Sequence, residues 1–138
     1  MNYVLWALLG MASYTMVAPL MKTALTDVPS DVAVLLSNLI LVAVAGGLVA
    51  VSDSSAADFL THSKTPYVYA AGLFLAVGII AYYRALALGP VSIVVPVFAM
   101  FIVTSSAAGV VLLDETLTLR RGAGILLAIV AVYLTATG

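Results

Sequence analysis

Leu39-Ile40-Leu41-Val42-Ala43-Val44 is apolar on both faces of any regular backbone, and it lies inside a charge-free run of 21 residues, Val32 to Ser52. A transmembrane strand would alternate apolar and polar residues with period two over about ten positions. This run does not alternate. A helix rises about 1.5 Å per residue, so roughly 20 apolar residues cross a hydrocarbon core of about 30 Å. The run therefore reads as a membrane-spanning helix that is apolar all round.

Four more segments of the same kind flank it. Met1 to Met21 is charge-free over 21 residues, Thr65 to Tyr83 over 19, Ala85 to Leu113 over 29 and Gly122 to Gly138 over 17. The third stays apolar past Arg84 to Leu88, and Gly89-Pro90 separates it from the fourth with a tight turn. Apolar residues make up 64% of the 138 positions and charged residues 8%, with a mean hydropathy of +1.24. A soluble domain runs near half apolar and a quarter charged, so this chain has too little polar surface to cover a water-facing fold. The expectation is an all-α integral membrane protein in one domain, residues 1–138. Its five helices are placed at about 3–21, 31–51, 66–88, 91–113 and 119–137.

The first segment lacks a basic stretch before its apolar run, and Lys22 follows it, so it reads as a retained helix and not a secretory signal. Pro19 should loosen its last turn. Ser30 is placed as N-cap of the second helix, with Asp31 in its first turn, and Thr65-Pro66 as N-cap and first residue of the third. Short links make successive helices antiparallel neighbours. An odd number of spans puts the two ends on opposite sides. Lys64, Arg120 and Arg121 fall on the N-terminal side, against Lys22 and Arg84 on the other. This three-to-two bias slightly favours a cytoplasmic N-terminus, and it is small enough to allow both orientations.

The inventory argues against catalysis. There is no cysteine, hence no disulfide and no thiolate metal site. No nucleophile–base pair, phosphate loop or metal-ligand spacing occurs, so no enzyme activity and no cofactor are expected. His62, the single histidine, is expected as a solvated residue of the Ser52–Thr65 link. Asp114 and Glu115 are placed at the exit of the fourth helix, within reach of Arg120 or Arg121. A net charge of −1 without a basic patch excludes nucleic acid as an expected partner.

Polar groups at membrane depth are few and therefore informative. Asn38 needs hydrogen-bond partners in hydrocarbon and should face the bundle interior. Tyr14 lies too deep for an interfacial aromatic belt, and its hydroxyl needs an acceptor or a wet cavity. Tyr82, Tyr83 and Arg84 come late in the third helix. They read either as a belt with a snorkelling arginine or as a cation and its neighbours facing a substrate. Ser105 starts a Ser105-xxx-Gly109 face suited to close helix contact. Pro96 interrupts the backbone ladder of the fourth helix and should bend it. The candidate substrate-lining set is Tyr14, Asn38, Tyr82, Tyr83, Arg84 and Ser105, with Pro96 as the bend.

Taken in order, Tyr82-Tyr83-Arg84-Ala85-Leu86-Ala87-Leu88-Gly89-Pro90-Val91-Ser92, then Val95-Pro96-Val97-Phe98, then Leu112-Leu113-Asp114-Glu115-Thr116-Leu117-Thr118, then Gly122 or Gly124 opening a last apolar helix, resemble the EamA-like repeat of the drug/metabolite transporter superfamily. The resemblance covers essentially the whole chain. Members usually carry two such five-helix repeats, and tandem duplication of an odd-numbered unit inverts the second copy. One repeat here implies a half-size transporter for a small metabolite. It would be completed in the cell membrane by a partner, most simply an antiparallel homodimer of dual topology, and would work by alternating access. The first helix also resembles that of the small multidrug resistance proteins, with Pro19-Leu20-Met21-Lys22 at its end. The resemblance sets their membrane carboxylate at Tyr14. A phenol holds its proton far more tightly than a carboxyl, which argues against proton coupling through this position. The reading of a different class is a non-transporting membrane subunit that uses the Ser105–Gly109 face for assembly alone.

Overall fold

A computed structural model of the chain describes residues 2–52, 55–114 and 116–137. Among these the secondary structure is helical: α1 (Tyr3–Thr15), α2 (Val17–Ala24), α3 (Ser30–Ala50), α4 (Ala56–Phe59), α5 (Thr65–Leu88), α6 (Val91–Ala99), α7 (Phe101–Leu112) and α8 (Leu119–Thr137). Two pairs are continuous in length, α1 with α2 and α6 with α7. The described residues thus hold five helices long and apolar enough to cross a membrane, Tyr3–Ala24, Ser30–Ala50, Thr65–Leu88, Val91–Leu112 and Leu119–Thr137.

Several local expectations need correction. The first span runs past Met21 to Ala24, and it is interrupted at Met16, well before its last turn. The cause is Pro19, which has no N–H to give the carbonyl of Thr15. The Met16 N–H bonds back to Ser13 O at 3.4 Å, a tightened turn. Ser30 is the first residue of α3 and Pro29 precedes it as cap, without a side-chain bond. Thr65 is likewise inside α5, and its hydroxyl donates to the carbonyl of Phe59 instead of capping. Among the described residues, side-chain caps are seen at Asn2, whose Oδ1 accepts from Val4 N–H at 3.2 Å, and at Thr118, whose Oγ1 accepts from Arg121 N–H at 3.3 Å.

The chain divides into two compact units, Met1–Leu88 and Gly89–Gly138. In the N-terminal unit α5 packs on α3 and α2. All five of the buried residues described belong to it: Ala18, Ala33, Tyr82, Tyr83 and Leu86. Alanines on α2 and α3 let the bulky side chains of α5 approach closely, which is how helices associate in a solvent as apolar as themselves. In the C-terminal unit α8 packs on α6 and α7. The fourth span breaks at Met100, four residues beyond Pro96. The Met100 N–H donates to Val97 O at 3.2 Å. Asp114, just past the end of α7, has φ 53°. That left-handed position after a helix is ordinarily taken by glycine, and a short polar side chain such as Asp tolerates it. Asp114 is therefore a helix stop.

Candidate functional site

The end of the N-terminal unit where α2, α3 and α5 converge is built by charge and capping. Within a helix the carbonyl of Leu86 would accept from residue 90, but Pro90 has no N–H. Lys22 fills the gap, its Nζ donating to Leu86 O at 2.7 Å. Two residues earlier on α5, Arg84 meets Asp31 in the first turn of α3, with Nη2 at 3.1 Å from Oδ1 and 3.4 Å from Oδ2. An anion at a helix N-terminus also suits the helix dipole. Both side chains are more than half exposed, at 60% and 68%, so this bond orients the two helices more than it stabilises them.

Immediately below this polar end sit the tyrosines. Tyr82 and Tyr83 are buried, with ring centroids 6.1 Å apart and planes tilted by 51°. Tyr14 is two residues before the break at Met16 and is itself 63% exposed. The unit thus holds a buried tyrosine pair on α5, an ion pair at Arg84, and an interrupted first span that carries Tyr14. Such a place offers hydroxyl donors and acceptors, aromatic faces and a backbone not fully bonded to itself.

The other sequence-predicted residues are placed as follows. Asn38 is half-buried on α3, about 10 Å deeper than Asp31 by helical rise. Its Nδ2 donates to its own helix at Val34 O, 2.8 Å, and Ser37 Oγ donates to the same carbonyl at 3.1 Å. Ser105 and Pro96 belong to the C-terminal unit. Ser105 is exposed and its hydroxyl returns to Phe101 O at 2.6 Å. Gly109 is half-buried. His62 is exposed, and its Nδ1 accepts from Lys64 N–H at 3.2 Å. Glu115, one half of the acidic pair expected near Arg120 and Arg121, lies outside the described residues. Sequence reasoning missed Lys22 and Asp31 as parts of this constellation. The available signal was Pro90, whose missing N–H announces an unsatisfied carbonyl four residues earlier.

With this geometry in hand, comparison with known proteins gives two matches. A family model described as the EamA-like transporter family matches residues 1–137. A curated relative from Sinorhizobium sp., an uncharacterized transporter in the cobO 3' region, is 29% identical over 125 residues, 87% of this chain and 86% of the relative. No solved structure matches the chain.

Proposed function

Because the chain belongs to the EamA-like transporter family, and is therefore a multi-pass membrane transporter, we propose that its five-helix repeat is one half of an alternating-access carrier for a small metabolite, completed by a second copy in inverted orientation. The observation that carries this reading is the buried Tyr82–Tyr83 pair on α5, in the same unit as a first span that is interrupted at Met16 and carries Tyr14. Interrupted helices with polar neighbours are the usual substrate sites of secondary carriers. The Sinorhizobium relative, matched over 86% of its own length and named a transporter, supports the carrier reading. On this reading residues 1–138 act as one domain. The three phenols and Asn38 line the substrate path in the N-terminal unit, Arg84 offers a cation to an anionic substrate group in exchange for Asp31, and Ser105 and the bend at Pro96 serve transport within the C-terminal unit.

The test is uptake into proteoliposomes across a panel of small solutes. Saturable uptake by the intact protein is expected. Tyr83→Phe should assemble normally and lower the transport rate by about ten-fold, the loss of one well-placed hydrogen bond. Uptake that is absent or linear in concentration across the panel rejects the carrier. Reporters at Gly138 and in the 52–65 link test the inverted pair: signal on both sides of the membrane supports it, and single-sided signal rejects it.

A further inference from the structure

The C-terminal unit holds a groove that the carrier reading does not use. It has a volume of about 410 Å³ and lies between α7, Thr116 and Leu117 of the following link, and α8. Ile102, Val103, Val110 and Ile125 line its length. Arg121 stands at the end nearest the link, and it is the charged residue among the described lining. Its guanidinium is held there, Nη1 donating to Thr116 O at 3.2 Å, while its backbone N–H is capped by Thr118.

The dimensions select the occupant. From Val110 to Ile102 the groove descends about 12 Å by helical rise, close to the roughly 15 Å of one leaflet of hydrocarbon. It is apolar at depth and cationic at the headgroup level. A solute in transit would need polar partners at depth, and the hydroxyl there, Ser106 Oγ, is engaged by Ile102 O at 2.7 Å. A second protein copy laid into the groove would press apolar helix surface onto a guanidinium, which is costly in a membrane. An anionic phospholipid matches both ends, with an acyl chain for the apolar length and a phosphate for the planar guanidinium fork.

We propose that the groove between α7 and α8 binds one anionic phospholipid, with its phosphate on Arg121 and one acyl chain along Ile102, Val103, Val110 and Ile125. Arg120, one position earlier, adds positive charge at the same interface. Gly124 also lines the groove, and a Cβ there would meet no atom within 4 Å, so a side chain at this position projects into open space.

Native mass spectrometry of the full chain in mild detergent tests this, with phosphatidylglycerol and phosphatidylcholine of identical acyl chains as probes. The expected result is about ten-fold tighter retention of phosphatidylglycerol. Arg121→Gln should reduce that preference to parity, and Arg121→Lys should restore part of it. Gly124→Leu should weaken both lipids about ten-fold, with hydrogen exchange in α8 unchanged. Equal retention of the two lipids by the intact protein overturns the proposal. So does competition by soluble glycerol phosphate as strong as that by the lipid, which would make this a headgroup site without a chain groove. A Gly124→Leu change in oligomeric state with lipid retention intact would assign the groove to a second copy and overturn it as well.

Discussion

The two compact units differ in what holds them. Each contains a proline-interrupted span and an arginine near a helix end. In Met1–Leu88 the cations reach across: Lys22 bonds the carbonyl of Leu86, and Arg84 bonds Asp31, 53 positions away. The buried residues gather beside these ties. In Gly89–Gly138 none of the described residues is buried, and Arg121 bonds its own link. Both units are about equally apolar in sequence, so apolarity does not account for the difference. Lipid competes with apolar side chains on equal terms, and helices in a membrane pack through small-against-large contacts and polar ties. The N-terminal unit has both, at one end.

Lys22→Met should break this contrast most strongly. It leaves the Leu86 carbonyl without its donor, at a cost of about 1.5–3 kcal/mol for a charge-assisted bond. Hydrogen exchange should rise over residues 82–88 and remain unchanged over 101–112, and the thermal midpoint in detergent should fall. Equal protection in the variant would show that packing alone closes this end. In the other unit the largest local effect is expected at the stop after α7. Asp114→Val should cost about 1–2 kcal/mol, because a β-branched residue is strained at positive φ, whereas Asp114→Gly should be neutral or stabilising. Thermal unfolding of the pair measures it. Next is the Arg84–Asp31 bond. Arg84→Gln should lower stability by under about 1 kcal/mol, with the difference disappearing in high salt. A larger, salt-insensitive loss would mean that the pair is shielded from water. Smallest is Ser105→Ala, expected to leave the melting midpoint unchanged because its hydroxyl bonds back to Phe101 O of its own helix.

The spans were legible in the sequence because charge-free length is a one-dimensional property. Five expected helices correspond to the five found, with ends shifted by a few residues. The breaks were half legible. Pro19 and Pro96 announce lost hydrogen bonds, but the backbone yields at Met16, upstream of one, and at Met100, downstream of the other. Which neighbouring turn tightens depends on packing that no local pattern records. Of the candidate site, the depth and chemistry of the tyrosines single them out in the sequence, and the burial of Tyr82 and Tyr83 is visible only in the fold. The Arg84–Asp31 bond could not, since it needs the register of two antiparallel helices. Asn38 shows a different limit: an amide in hydrocarbon demands a partner, and the helix's own Val34 carbonyl accepts from it.

The interruption at Met16 also has a mechanical side. Below it α2 is clamped to α5 through Lys22, while above it α1 is a rod of 13 residues, about 20 Å long. A pivot at one end of such a rod converts small rotations into large excursions. Turning α1 by about 10° at Met16 sweeps its far tip by about 3.5 Å on that length, yet Tyr14, so close to the fulcrum, stays almost still. The N-terminal span is geared so that its outer end can travel while its phenol keeps its place.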